Sequence, residues 1–238
     1  MNLLAWNCNM AFRKKWPALN AFPADIMVIS ECERADKFSE KQRIPGCEDF
    51  VWIGKSEHKG LGVMSFHGYR LEICSFYSDE YEYVLPLWVE KGGHRFLLFA
   101  IWAMPHPQSN LRSYVGQIWA ALTHYQQHMQ GPILLAGDFN SHPMWDGSRK
   151  VGHHTDVAQF LGERGIHSLY HHHTGEAAGA ESQPTLYLLK QMAKPYHLDY
   201  CFASQSLIGP ETRLQVGAYA DWITWSDHMP LWVENLAC

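Results

Sequence analysis

Apolar residues in this chain gather into short blocks separated by polar turns. Stretches of strand length recur at 3–8, 26–30, 60–65, 70–76, 84–89, 95–102, 133–136, 196–202 and 231–234. The run 133–136 has no polar position at all, which is the pattern of a strand buried on both faces. Lys91-Gly92-Gly93-His94 between two of these stretches predicts a hairpin. Val115, Ile118, Trp119 and Leu122 recur at helical spacing and predict a helix over 111–128 that packs on a sheet. A second helix is expected over 156–164, with Thr155 as its N-cap. The Gly-, Ala- and Glu-rich stretch 175–183 reads as the most mobile loop. Strands and helices alternate in two similar halves that divide near Pro105. This favours a layered α/β sandwich, sheets inside and helices outside, built as one domain over 1–238 with no repeat or linker.

Polar residues fall where the apolar blocks stop. The block 133–136 breaks at Gly137 into Asp138-Phe139-Asn140, and strand alternation would turn Asp138 and Asn140 to one side while Phe139 enters the core. A carboxylate and an amide in one small volume suit a reaction in which one group deprotonates or orients a water and the other holds an anionic oxygen. The same alternation pairs Asn7 with Asn9, Glu31 with Glu33, and His197 with Asp199. Strand ends that meet at one rim are where a site is expected.

Composition narrows the partners. The 238 residues are 47% hydrophobic, ample for a core, and carry a net charge of −5. Nucleic-acid affinity therefore has to come from a local basic patch or a bound cation. Arg13, Lys14 and Lys15, interleaved with Phe12 and Trp16, form such a patch, although a solvated helix start accounts for them equally well. The six cysteines include no CxxC pair, which excludes a common zinc pattern and a small disulfide scaffold. His153-His154 and His171-His172-His173 lack zinc-site spacing. Gly54-Lys55-Ser56 has Asp49 where a phosphate loop needs glycine, and Ser226-Asp227-His228 cannot form a hydrolase triad because adjacent residues do not converge. The first residues lack a signal-peptide pattern and no window reaches membrane-span length, so a cytoplasmic protein is expected.

Six segments together resemble the endonuclease/exonuclease/phosphatase superfamily of metal-dependent phosphoesterases. They are Trp6-Asn7-Cys8-Asn9, Ser30-Glu31, Gly137-Asp138-Phe139-Asn140, Pro184-Thr185-Leu186-Tyr187, His197-Leu198-Asp199-Tyr200 and Ser226-Asp227-His228-Met229-Pro230, in the family's order. The resemblance implies a four-layered α/β sandwich, two β-sheets packed face to face with helices on the outer faces. It further implies Mg²⁺ or Mn²⁺ held by Glu31 with Asn7 and Asp227. By the same resemblance Asp138 activates the attacking water, Asn140 holds phosphate, and His228 contacts the scissile phosphate with Asp199 fixing its tautomer. Asn9 sits where relatives carry an outer-shell residue. One position departs: relatives often carry Tyr or His before the proline of Ile101-Trp102-Ala103-Met104-Pro105-His106, where this chain has Trp102 or Ala103. Either that phosphate contact is lost, or His106 or another residue supplies it.

Three functions follow. The first is a nuclease on DNA ahead of RNA, with Arg13 and Lys14 steering the backbone and no obligate protein partner. The second is a phosphatase or phosphodiesterase on a small or lipid-linked phosphate, which the acidic net charge favours. The third, a non-catalytic nucleic-acid-binding relative, is disfavoured because every carboxylate and His228 are present.

Overall fold

A computed structural model describes residues 1–106, 108–109, 112–148 and 151–237. One sheet has six strands in the order β13-β14-β1-β2-β4-β3, where β1 is Leu3–Asn7, β2 Ile26–Cys32, β3 Phe50–Ser56, β4 Lys59–Ser65, β13 Arg213–Val216 and β14 Leu231–Glu234. The other has the order β5-β6-β7-β8-β12-β9, formed by β5 Arg70–Ile73, β6 Val84–Lys91, β7 His94–Trp102, β8 Ile133–Asp138, β9 Ile166–Ser168 and β12 Asp199–Ser204. A short antiparallel pair, β10 (Leu186–Tyr187) and β11 (Pro195–Tyr196), stands apart from them. Each six-stranded sheet is mixed, with one parallel pair at its centre: β1 beside β2, and β7 beside β8.

The central strands read as apolar runs because both their faces are buried. Leu3, Ala5, Ile26 and Val28 face Leu98, Ala100, Leu134 and Ala136 across the core between the sheets. The alternate residues Leu4, Trp6, Met27 and Ile29 turn outward onto Phe12, Leu19 and Trp222. On the second sheet Phe99, Ile101, Leu135 and Phe202 turn outward onto Ile118, Leu122, Val157 and Leu161. Phe12 belongs to α1 (Phe12–Lys15), Ile118 and Leu122 to α2 (Val115–Tyr125), Val157 and Leu161 to α3 (His154–Gly162) and Trp222 to α5 (Tyr219–Trp222), while Leu19 ends the 3₁₀ turn Trp16–Leu19; α4 spans Leu169–Thr174. The result is the expected four layers, helices outside two facing sheets.

Two helix boundaries differ from the periodicity. α2 covers Val115–Tyr125, shorter than 111–128, and Leu111 lies outside the described residues. α3 begins at His154, and its N-cap is His153 instead of Thr155: the His153 ring accepts the Asp156 N–H, and the Asp156 carboxylate accepts the His153 N–H. The stretch 70–76 is strand only as far as Ile73. Both central parallel pairs run the same way, so Asn7, Glu31 and Asp138 arrive at one rim. Two antiparallel strands start there: Asp199 opens β12 opposite Asp138, and His228 precedes β14 and bridges to Leu186.

Candidate active site

Asp138 is the buried centre of the rim. One residue before the end of β8, Gly137 sits at φ +137°, where a Cβ would run into the Ile101 carbonyl of the neighbouring strand, so only glycine lets the chain come this close to β7. Asp138 Oδ2 accepts from Asn7 Nδ2 at 2.9 Å and from Asn140 Nδ2 at 3.0 Å, while Oδ1 accepts the Asn140 backbone N–H at 2.9 Å. Asn140 thus meets Asp138 by a turn at φ +46°, not by strand alternation. The second Asn140 amide proton goes to the Ala103 carbonyl, at 2.9 Å. Burial pushes the Asp138 carboxyl up to about 7, helped by Asp199 and opposed by His228 and Asn7.

His228 stands beside it. Its Nδ1 donates to Asp199 Oδ2 at 2.9 Å, and one ligand atom from each of Asp138, Asp199 and His228 lies within 4.8 Å of the others. Burial alone would lower the imidazole, but Asp199 and Asp138 outweigh it and push it up to about 10, towards the charged form. Two hydroxyls aim this pair. Thr185 Oγ1 accepts the N–H groups of both Leu198 and Asp199, each at 2.9 Å. Ser226 Oγ donates to the Asn7 carbonyl at 2.7 Å and accepts the His228 N–H at 3.0 Å, tying β1 to the His228 turn. Trp6 Nε1 donates to the His228 carbonyl at 2.9 Å.

Glu31, Asn7, Asn9 and Asp227 form the other half of the rim. Glu31 sits on a bulge of β2 at φ +61° and meets Lys59 Nζ at 3.2 Å. The bulge breaks the alternation expected of Glu31 and Glu33, and the two carboxylates have different partners. Asn9, also left-handed at φ +49°, donates Nδ2 to Asp227 Oδ1 at 2.8 Å and its backbone N–H to Asn7 Oδ1 at 3.0 Å. As ligands Glu31, Asp227 and Asn7 would offer oxygens only, from two carboxylates and an amide, which is the set a hard divalent cation takes. Glu31 already draws an ammonium, and Asp199 Oδ1 is buried without a hydrogen-bond partner among the described residues. The rim therefore fits a cation.

The basic patch divides three ways. Arg13 pairs with the buried Glu33, so its charge is spent inside the fold and it is not the free phosphate contact expected of it. Lys15 Nζ caps the Cys8 and Asn9 carbonyls at 2.6 and 3.0 Å and holds the left-handed loop. Lys14 alone is exposed. His106 turns to its own loop, where Nδ1 accepts the Gln108 N–H at 3.2 Å, and it has no hydrogen bond to the rim among the described residues. Trp102 packs on Tyr83 at 4.6 Å between the sheets, while Ala103 lies against Asp138 and Asn140. Thr185, Ser226, Lys15 and Lys59 are the residues that periodicity missed. The Thr185 and Ser226 segments carried signal as parts of the resemblance and Lys15 as part of the basic patch, while Lys59 carried none.

The histidine runs do something other than bind zinc. His142 Nε2 and His171 Nε2 grip the two oxygens of buried Glu181 at 3.1 and 3.0 Å. Glu181 and Glu176, the latter bonded to Tyr170 and Ser182, pin down the loop 175–183 that composition marks as mobile. His142, together with Asn140, Trp145, Tyr196 and Leu198, lines a cavity of about 440 Å³ beside Asp138.

This four-layered sandwich gathers four carboxylates, the His228 imidazole and three amides at one rim. Residues 4–228 match the Endonuclease/Exonuclease/phosphatase family, and the chain belongs to it. It is 28% identical over 157 residues to a UPF0294 protein of Vibrio parahaemolyticus, a match covering 59% of this chain and 53% of that protein. The chain thus matches about half the length of that curated relative. The fold is similar to that of a 3′-5′ exonuclease from Neisseria meningitidis, with a TM-score of 0.69 and 19% identity over 99% of each chain. It is also similar to an AP endonuclease from Archaeoglobus fulgidus, with a TM-score of 0.68 and 18% identity over 98% of each chain.

Proposed function

We propose that this chain is a Mg²⁺- or Mn²⁺-dependent nuclease that hydrolyses phosphodiesters, DNA ahead of RNA, in the cytoplasm. The observation that carries this reading is the buried Asp138 held by Asn7 and Asn140 beside the Asp199–His228 pair. Glu31, Asn7 and Asp227 would hold the metal, whose chemistry is to neutralise the phosphate and polarise it. Asp138 accepts the proton of the attacking water, and the two amides aim its carboxylate. Both Asn140 amide protons are already taken, by Asp138 and by the Ala103 carbonyl, so Asn140 serves here to position Asp138 and not as the phosphate donor that the resemblance implied. His228, kept charged by Asp199, donates to a phosphate oxygen as negative charge builds there. Phosphoryl transfer asks mainly for positioning and charge, and the rim supplies both. DNA is supported by the similar fold of a 3′ phosphatase from Neisseria that is bound to a product DNA hairpin.

A phosphatase acting on a small or lipid-linked phosphate is the second reading, favoured by the loss of Arg13 to Glu33, which leaves little of the basic patch for a polymer. A panel of supercoiled plasmid, linear duplex, single-stranded DNA, RNA, nucleotides and inositol phosphates, with metal or chelator, separates the two. Metal-dependent cutting of a polymer is the expected result. Release of phosphate from the small substrates alone would replace the nuclease by the phosphatase.

A further inference from the structure

A second cavity of about 440 Å³ opens between the β3–β4 hairpin and residues 77–83. Three aromatic rings line it: Trp52, Tyr77 and Tyr83. Trp52 is fixed, because its Nε1 donates to the Cys32 carbonyl at 3.0 Å and its ring lies over Gly60, where any Cβ would strike it. Tyr83 is 8% exposed and packs its ring on Trp102. Neither Trp52 nor Tyr77 stacks on another ring among the described residues, so neither spends a face on a ring neighbour.

Charge on the walls selects the ligand. The lining holds two carboxylates, Asp79 and Glu82, against one ammonium, Lys55. Asp79 has no ion-pair partner among the described residues, and Lys55 Nζ sits on Glu82 at 2.8 Å. The wall thus already seats one ammonium, through a pair whose lysine side chain is 65% exposed and readily displaced. A phosphate would meet surplus negative charge here, whereas a cation would meet two carboxylates and an aromatic lining of Trp52, Tyr77 and Tyr83.

We propose that this cleft binds an organic ammonium group, packed on Trp52, Tyr77 and Tyr83 and neutralised by Asp79 and Glu82. The site is separate from the metal rim but adjoins it, since Tyr83 packs on Trp102, whose ring lies 5.4 Å from Lys59 Nζ, the partner of Glu31. The cationic group has two sources, the headgroup of a small phosphoester or a methylated lysine of a protein.

The full chain labelled at its indole nitrogens, with the Trp52 resonance assigned through Trp52→Phe, is titrated with tetramethylammonium and with its uncharged isostere 3,3-dimethylbutan-1-ol. Tetramethylammonium should shift the Trp52 signal saturably and the alcohol should not. Asp79→Asn with Glu82→Gln should weaken binding about tenfold, and Tyr77→Ala by a similar factor. Lys55→Met should tighten it, because the competing internal ammonium is gone. No saturable shift, equal response to the alcohol, or indifference to the carboxylate changes would overturn the proposal. Among binders, choline phosphate ahead of a trimethyl-lysine peptide supports the cleft as a headgroup site, and the reverse order supports it as a protein-docking one.

Discussion

At Asp138 burial and charge pull against each other, and the balance sets what the residue can do. A fully solvated aspartate would be too weak a base for water; burial raises it to about 7, while Asn7, Asn140 and His228 keep the charged form within reach. Arg13 shows the opposite use of a charge. Glu33 is almost fully buried, so Arg13→Ala leaves an unpaired carboxylate and should cost about 3 kcal/mol of stability with little direct effect on turnover. Urea unfolding beside a rate measurement checks this, and a large rate loss at unchanged stability would count against it. His154, buried and bonded to Ser141 Oγ at 2.8 Å, is pushed down to about 4 by burial. Its folded pKa lies below its unfolded value, so the unfolded chain binds the extra proton and stability falls as pH drops from 6.5 towards 4. Relative to His154→Gln, the wild type should lose up to about 3 kcal/mol over that window. Parallel pH dependence in the two proteins would refute the assignment.

Elements were easier to read than the turns that end them. The buried strands announce themselves because both faces are apolar, as in Leu134 and Leu135, which point into different cores. Alternation then fails at the site itself, where Asn9, Glu31 and Asn140 adopt positive φ. No local rule foretells a left-handed glutamate; the bulge at Glu31 is imposed by the pairing of β2 with β4. The resemblance picked out segments that meet at one rim, but not that Glu33, 20 residues on, absorbs Arg13, nor that Glu181 binds histidines from two other segments. Two substitutions test the element ends. Gly137→Ala should destabilise by about 3 kcal/mol or more, since the added methyl meets the Ile101 backbone, which cannot move aside. A melting temperature within a degree or two of wild type would contradict that. Thr185→Val removes the acceptor of two buried N–H groups and loosens Asp199. Activity should fall about 10–100-fold, with a stability loss of about 1–3 kcal/mol; Thr185→Ser, which keeps the hydroxyl, should recover most of both.

For the whole molecule, the two sheets act as a vice. Each carries a parallel pair whose ends reach the same rim, and Asn7 from one sheet donates to Asp138 from the other at 2.9 Å. The site therefore exists only while the sheets are packed, which explains why a core of Leu3, Val28, Leu98 and Ala136 is as necessary to the chemistry as the polar residues. At this junction Asp138 is proposed to act as the base of a metal-dependent hydrolysis. The most direct test is the cleavage rate of an end-labelled DNA duplex by the wild type and by Asp138→Asn, each with Mg²⁺, Mn²⁺ or chelator, and with the melting temperature of both recorded. Cleavage should require metal and fall about 10²–10⁴-fold in the folded variant; cleavage by Asp138→Asn at the wild-type rate would contradict the account.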